Sequence, residues 1–194
     1  MAMSDGVLSL MTSAMTGFFS TGQPLRPGEG FLTGARPWYD TYLCSDDRWF
    51  SIGSIEPHFY SALCEALEAP EFLGKQHDEA AWPEMRERFE AIFATKTADE
   101  WMAVMSTYDI CAAPVLEQEN IATDPHNIAR DMIVTVDTQV GPVQQVGVGP
   151  KLSETPGRVL NGAPVNGEHT DEVLASIGYD SRRIEALRAE GAIG

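Results

Sequence analysis

The sequence predicts an α+β protein in which a short antiparallel sheet is flanked by helices. Two runs of β-type composition, residues 38–44 and 49–52, are separated by the turn sequence SDDR at 45–48, which is typical of a hairpin. Residues 82–96 alternate charged and apolar faces, as an amphipathic helix does. Helical patterns on both sides of a hairpin, with no internal repeat, therefore place the chain in the α+β class.

The segments before the hairpin predict a helix and an irregular loop. Apolar residues between positions 3 and 19 recur near helical spacing, so we expect a helix there that is buried on most sides. The stretch 22–37 is rich in Gly and Pro and predicts a linker or binding loop. Its glycines neither follow a strand nor open a helix, so a dinucleotide-binding loop is excluded.

After the hairpin the pattern becomes helical. Pro57 suits the first turn of a helix that we expect to run to about Leu67, with Phe59, Leu63, Cys64 and Leu67 facing inward.

The next segments continue this alternation. Thr97-Ala98-Asp99-Glu100 has the sequence of a capping box and predicts the start of another helix. Residues 111–116 (CAAPVL) predict a short strand whose proline favours the edge of a sheet. Cys111 itself is most simply a small core residue.

The C-terminal part predicts strands followed by helices. Strand-like pieces occur at 133–136 and 143–148, among many turn residues. Thr170 and Ser181 each precede a helical pattern, so we expect both to act as N-caps.

Composition excludes several classes of partner and site. The 13 Lys and Arg residues against 29 Asp and Glu residues give a formal net charge of −16. Nucleic acid and an anionic membrane are therefore not expected partners, because phosphate binding needs clustered cations. The odd number of cysteines, without CxxC spacing, suits the reducing cytoplasm. The four histidines lack metal-ligand spacing, and we expect no metal site. The apolar N-terminus carries Asp5 and lacks a basic region, so it predicts neither a signal peptide nor a membrane span.

Glu56 is the charged residue that raises a functional question. It lies directly before Pro57, within the apolar and aromatic stretch GSIEPHFY at 53–60. One interpretation is structural, because a helix dipole stabilises an N-terminal carboxylate by about 0.3–1 kcal/mol. The other is functional, because apolar neighbours tune the proton affinity of a carboxylate. The residues alone leave both interpretations open.

Neighbouring polar and aromatic residues give weaker indications. His58 follows Glu56 by two positions, and side chains two apart on a helix point away from each other. A Glu56–His58 dyad is therefore not expected. Tyr39 and Tyr42 are predicted, from their positions alone, to be core aromatics of the hairpin.

Several segments, in order along the chain, resemble the family III CoA-transferases. They are MSDGVLSLM, GFLTGARPWYDTYLCSDDRWFSIGSIEPHFYSAL, WPEMRERFEAIFATKTADEW, DICAAPVL, DPHNIARDM and GEHTDEVLASIGY, and together they span almost the whole chain. The hairpin with IEPHFY is the most specific part. Its Glu-Pro pair is typical of the α-methylacyl-CoA racemase branch, whereas transferase members usually lack it.

This resemblance implies a reaction and a set of site residues. Racemases of the family invert the carbon α to a CoA thioester, which requires a base on each face of that carbon and donors for the enolate oxygen. A His supported by a Glu serves one face and an Asp serves the other. The supporting Glu corresponds to Glu56, which would accept a hydrogen bond from the imidazole as a triad Asp does. The resemblance also implies substrate-pocket roles for Leu32, Tyr39 and Ile55. CoA enters only as part of the substrate thioester.

The resemblance implies, in addition, that this chain is a C-terminal portion. The catalytic His and Asp of the family, with most of the CoA-binding surface, lie in an N-terminal Rossmann-like domain that has no counterpart here. None of the four histidines (His58, His77, His126 and His169) lies in a matching context. We therefore expect the chain to meet acyl-CoA through that other domain and to be inactive alone.

Domain boundaries and assembly follow from the same resemblance. Residues 1–30 correspond to a helix and linker belonging to the large domain, 31–145 to a small α+β domain, and 146–194 to a C-terminal return segment with two helices. The family forms interlocked dimers, so we expect a homodimer or self-association. Two alternatives remain: part of a family III CoA-transferase, and a non-catalytic module that binds acyl-CoA or protein.

Overall fold

A computed structural model describes residues 2–194 and confirms the α+β class. The chain divides into two compact units, with the boundary between Val115 and Leu116. The elements of the first unit are α1 (Met3–Leu10), α2 (Thr12–Thr21), β1 (Tyr39–Leu43), β2 (Trp49–Gly53), α3 (Pro57–Ala66), α4 (Trp82–Phe93), α5 (Ala98–Met105) and β3 (Ala112–Pro114). Those of the second unit are α6 (Gln118–Ile121), α7 (Pro125–Ala129), β4 (Ile133–Thr138), β5 (Gly141–Val146), α8 (Thr170–Ser176) and α9 (Ser181–Ala189).

The first unit is built on a three-stranded antiparallel sheet in the order β1-β2-β3. The predicted hairpin is confirmed, because β1 and β2 pair from Tyr39 opposite Gly53 to Leu43 opposite Trp49. β3 occupies an edge of the sheet, as its proline predicted. Pro114 has no backbone N–H to donate, and an edge strand tolerates this missing donor.

Aromatic rings form the centre of the first unit. The Phe93 ring on α4 lies 5.0 Å from the Tyr42 ring, 5.7 Å from the Phe50 ring and 5.0 Å from the Trp101 ring, measured between centroids. The Trp101 indole donates to the Phe93 carbonyl at 2.9 Å. Each of these side chains is almost fully buried, and burying one large apolar side chain stabilises a fold by about 1.5–3 kcal/mol. These contacts hold the sheet and its helices together.

α3 buries three of the four residues that were predicted to face inward, and Tyr60 takes the place of Phe59. Tyr60, Leu63, Cys64 and Leu67 are buried, whereas Phe59 is half-buried, so the inward position predicted for Phe59 is wrong. The buried four occupy positions i, i+3, i+4 and i+7 of one helical face. Phe59 lies one position before that face begins.

Helix starts were predicted correctly for α5 but not for α8 or α9. The capping box of Thr97 and Glu100 is present, and hydrogen bonds from Thr97 hold the pKa of the Glu100 carboxyl below its usual range. The N-cap of α8 is His169, so Thr170 is already helical. The N-cap of α9 is Asp180, whose carboxylate accepts from the Arg183 amide at 2.8 Å. A carboxylate one residue upstream thus takes the role predicted for Ser181.

The predicted buried helix at 3–19 is wrong in two respects. The segment breaks at Met11 into α1 and α2, and within the described part of the chain neither helix buries a residue. Met3 and Leu10 remain 90% and 89% exposed. The apolar pattern is present, but no other described element covers it.

The second unit contains the β4–β5 hairpin and the four short helices α6 to α9. β4 and β5 pair from Ile133 opposite Val146 to Thr138 opposite Gly141, which confirms the predicted strand pieces. Among the described residues of this unit only Ile184 is buried. Its apolar core is therefore far smaller than that of the first unit. Over residues 2–194, no helix has both the length and the apolar character needed to cross a membrane.

The three cysteines differ in exposure, which makes a test of the fold possible. Cys44 and Cys64 are buried, and burial raises the pKa of the Cys64 thiol to about 11. Cys111 is exposed, so the core position predicted for it is wrong. It precedes the edge strand β3 and contributes its carbonyl to the Gly53 amide.

We expect one fast-reacting thiol per native chain in an Ellman titration at pH 8. Thiolate is the reactive form, and a thiol of pKa about 11 is ionised at pH 8 only at roughly the 10⁻³ level. Cys111→Ser should remove the fast reaction, whereas Cys44→Ser should leave it unchanged. Two or three fast thiols in the unmodified native chain would contradict the packing described here.

Candidate functional site

Glu56 lies at the junction where β2 ends and α3 begins. It is the N-cap of α3, with φ −72° and ψ 142°, and Pro57 opens the helix. The side chain is exposed, and within the described chain its carboxylate makes no cap hydrogen bond. The carboxylate is therefore available to a donor from outside this chain.

The backbone leading to Glu56 is held at every step. The Gly53 amide donates to the Cys111 carbonyl at 2.8 Å, and the Ser54 amide donates to the Trp38 carbonyl at 3.0 Å. The Ile55 amide donates back to the Gly53 carbonyl at 3.0 Å. These bonds fix the path of the chain immediately before the carboxylate.

A buried amide side chain completes this network. Gln76 Nε2 donates to the Ser54 carbonyl at 3.2 Å and to the Ile55 carbonyl at 2.7 Å. Sequence reasoning missed Gln76. Gln76 lies between Lys75 and His77, in a stretch without periodicity, so no local sequence pattern marked it as buried.

Two of the predicted pocket residues line one cavity of about 260 Å³. The cavity is bounded by Leu32, Gly34, Tyr39, Asp40, Thr41, Ser51, Ile52 and Gly53. Leu32 and Tyr39 therefore lie together beside the sheet. Ile55 is absent from the described lining and packs half-buried against the core. Gly53 precedes Glu56 by three residues, and three extended residues span at most about 10 Å.

Arg86 fastens the loop that carries Leu32 to the hairpin. Its guanidinium donates to the Asp40 carboxylate and, at 2.7 Å, to the Gly34 carbonyl. Burial alone would lower the pKa of Arg86, but the hydrogen bond to Asp40 and the nearby negative groups raise it above its ordinary value. The side chain is thus charged at any working pH.

Gly34 is required at its position in this loop. Its φ of +82° lies in the region that favours glycine, and an added Cβ would lie 3.0 Å from Asp40 Oδ1. The loop can therefore approach the Asp40–Arg86 pair only with a glycine at this point.

Cation–π contacts hold the same loop on its other side. The Arg36 guanidinium lies 4.5 Å from the Phe31 ring centroid and 5.3 Å from the Trp82 ring centroid. Phe31 in turn packs edge-on against Trp38 at 5.8 Å. Phe31 is partly exposed, and a cation–π contact at an exposed site contributes about 0.5–1 kcal/mol. The loop that carries Leu32 is therefore held by contacts of both Arg86 and Arg36.

The histidines are dispersed and make no catalytic cluster with Glu56. His58 is exposed, and its ring packs on Phe59 with centroids 4.0 Å apart. His77 packs edge-on against Trp38 at 6.3 Å. Over residues 2–194, no three His, Cys, Asp or Glu side chains are grouped to hold a metal ion.

A larger cavity, of about 670 Å³, lies in the second unit. It is lined by residues 135–139 and 159–163 together with Glu168 and His169. Its walls are β4 and the loop that precedes α8. No residue there was predicted as a site residue.

Comparison with known proteins identifies the family. The model of CoA-transferase family III matches residues 1–170. The chain belongs to this family. It is 35% identical over 165 residues to alpha-methylacyl-CoA racemase of Mus musculus, and 34% identical over 169 residues to that of Homo sapiens. These matches cover 84% and 86% of the chain.

A transferase and solved structures extend the comparison. The chain is 29% identical over 197 residues to succinyl-CoA–D-citramalate CoA-transferase of Chloroflexus aurantiacus, a match covering 97% of the chain. The matches cover 42–49% of these three relatives, so the chain spans a little under half their length. The crystal structure of Rv3272 from Mycobacterium tuberculosis shares the fold, with a TM-score of 0.66 at 18% identity over 88% of the chain and 46% of the other.

Arg86→Met should loosen the loop that carries Leu32 and lower the free energy of unfolding by about 1 kcal/mol. The cost is modest because both members of the Arg86–Asp40 pair remain partly in contact with water. Urea unfolding measures the stability, and hydrogen exchange measures the loop.

Arg88→Met is the matched control on the same helix. Arg88 pairs with Glu71 at 3.5 Å, with both side chains about half exposed, so we expect no measurable effect. Equal effects of the two substitutions would contradict the role assigned to Arg86.

Proposed function

We propose that this chain supplies the C-terminal part of the active site of an acyl-CoA racemase. Such an enzyme performs 1,1-proton transfer at the carbon α to a CoA thioester. The observation that carries the proposal is Glu56: an exposed carboxylate on a backbone held by hydrogen bonds, within three residues of the cavity lined by Leu32 and Tyr39. Family membership and 34–35% identity to racemases support it.

In this proposal Glu56 acts through an imidazole carried by another stretch of polypeptide. The imidazole removes the α-proton, and the electron pair of the C–H bond moves into the thioester to give an enolate. Glu56 accepts the hydrogen bond of the other imidazole N–H, which selects the tautomer and stabilises the imidazolium. A carboxylic acid of the other stretch returns a proton to the opposite face of the carbon.

The pocket residues have a simpler proposed role. Leu32 and Tyr39 line one cavity and present apolar surface there, which suits the acyl part of a thioester, and Ile55 supports the nearby β2–α3 junction from its half-buried position against the core. The net charge of −16 is unfavourable for CoA phosphates. We therefore assign the CoA moiety to the other stretch of polypeptide, with no cofactor beyond the CoA of the substrate.

A second candidate is CoA transfer. It is favoured by the similarity to the Chloroflexus aurantiacus transferase, which extends over 97% of the chain. A transferase moves CoA to a free carboxylic acid, whereas a racemase needs no acceptor and exchanges the α-proton. The Glu56-Pro57 pair argues for the racemase.

Deuterium exchange tests the proposal. The purified chain alone should not incorporate deuterium at the α-carbon of a 2-methylacyl-CoA in D₂O, because Glu56 orients the imidazole and does not itself remove or return the α-proton. A chimera with the remaining part of the Mus musculus racemase should incorporate it. Exchange by the chain alone, or none in the folded chimera, would contradict the proposal. CoA transfer to a free acid without exchange would select the transferase.

Glu56→Gln in the chimera should slow this exchange by about 10²–10⁴-fold, because the imidazolium loses its charged partner. Glu65→Gln is the matched control, since Glu65 is an exposed glutamate on the same helix. A Glu56→Gln chimera as fast as the Glu65→Gln chimera would remove Glu56 from the mechanism.

We also propose that a second copy of this chain covers α1 and α2. Leu10 and Phe19 are 89% and 74% exposed, and large apolar surfaces of this kind mark interfaces. Light scattering should therefore give a mass above that of one chain. Leu10→Asp combined with Phe19→Asp should lower it, whereas Val140→Asp, at an equally exposed position of the second unit, should not. A one-chain mass without binding of an apolar dye would contradict this proposal.

A further inference from the structure

We infer that Gln76 is a positioning residue whose side-chain amide fixes the backbone that carries Glu56, through the two peptide carbonyls before it. The inference rests on the proposed function only for its consequence in catalysis. The geometry itself concerns this chain alone.

The main chain of Gln76 is fixed by two indoles. Trp38 Nε1 donates to the Gln76 carbonyl at 2.9 Å, and Trp82 Nε1 donates to the same carbonyl at 3.0 Å. Trp38 is fully buried, and Trp82 packs against the core at the start of α4. A carbonyl oxygen has two lone pairs, and here both are occupied. The backbone of this irregular segment is thereby tied to the hairpin and to a helix.

The side chain of Gln76 points from that fixed backbone to the β2–α3 junction. Gln76 is 5% exposed and, with Ser54, is one of two buried polar residues among those described. Its two N–H groups are directed at the carbonyls of Ser54 and Ile55. Carbonyls only accept, so both partners require the amide nitrogen, and the orientation of the amide group is settled by its neighbours.

This arrangement determines where the Glu56 side chain starts. The Ile55 carbonyl belongs to the peptide group that joins Ile55 to Glu56, and that peptide group is planar. Holding the carbonyl at 2.7 Å therefore fixes the plane from which the Glu56 Cα–Cβ bond departs. The Glu56 carbonyl already accepts from the Tyr60 amide at 3.0 Å, which fixes the following side.

A local clamp of this kind suits a carboxylate that must meet a group from another chain segment. Glu56 has no described cap bond of its own to hold it. A misplacement of about 1 Å in a catalytic group can slow a reaction about 10²-fold. Without the amide, the Ser54 and Ile55 carbonyls would lose their hydrogen-bond donor. An unsatisfied buried acceptor is unfavourable, so the junction would rearrange.

Gln76→Met tests the clamp in this chain without any activity assay. Met has a similar length but no donor, so ¹⁵N relaxation should show increased motion at Ser54, Ile55 and Glu56 only. Amides of the Phe93 aromatic cluster should keep their protection. Ile92→Val, a mild core substitution, is the control and should not loosen the junction. Unchanged motion at the junction, or equal loosening across the whole unit, would overturn the inference.

Gln76→Glu provides a rescue by pH. A protonated carboxyl group is nearly isosteric with the amide and donates one hydrogen bond, whereas the ionised form faces two carbonyls and repels them. We expect order at Ile55 and Glu56 near pH 5 and its loss near pH 8, while the unmodified chain stays ordered at both. Equal order of the variant at both pH values would overturn the inference, as would equal disorder in a folded variant.

A double-mutant cycle in the exchanging chimera separates this inference from the proposed function. Gln76→Met should lower kcat about tenfold with KM changed less than about twofold, and should have no further effect in the Glu56→Gln background. If Gln76→Met slowed the reaction equally with Glu56 and with Glu56→Gln, the inference that Gln76 acts through Glu56 would be overturned. If Glu56→Gln alone had no effect, the proposed function would fail, while the relaxation experiments would still decide the clamp.

Discussion

The two indole hydrogen bonds on the Gln76 carbonyl are the constraint on which the candidate site depends. They connect Trp38, at the entrance of the hairpin, with Trp82, at the entrance of α4. The segment between α3 and α4 contains only short 3₁₀ turns. Its first part is anchored by the buried Phe72, and the part around Gln76 by these two indoles. Once this carbonyl is fixed, the Gln76 side chain reaches the end of β2 and secures the turn into α3. The carbonyl and N–H groups of this network satisfy one another, which stabilises it. The buried Ser54 hydroxyl beside them has no partner among the described residues.

The same physical logic holds the other wall of the site. Arg86 bridges Asp40 on β1 and the Gly34 carbonyl, while Arg36 lies over the rings of Phe31 and Trp82. Both arginines thus use their planar guanidinium groups to fasten a loop rich in Gly and Pro. The cavity is therefore bounded by a sheet on one side and a fastened loop on the other. Glu56 itself remains exposed, three residues after Gly53 in the lining of this cavity.

Sequence patterns predicted the elements of the fold well where the interactions are local. The hairpin, the amphipathic α4, the capping box of Thr97 and the edge strand all form as expected. Predictions were wrong where one residue decides between neighbouring positions. Asp180 rather than Ser181 caps α9, and Tyr60 rather than Phe59 enters the core. The predicted burial of residues 3–19 was wrong for another reason. Periodicity shows that a helix has an apolar face, but it does not show that another element covers that face.

For the site, the sequence alone determined which residue types lie next to one another: a carboxylate before a proline, at a strand-to-helix junction. That information is local, because capping and turn chemistry act over three or four residues. Only the tertiary structure decided that Gln76, twenty residues further along, clamps this junction, and that Leu32 and Tyr39 share a cavity while Ile55 lies outside its lining. Such contacts join segments far apart in the chain, and no periodicity records them. They follow from how the aromatic core brings the segments together.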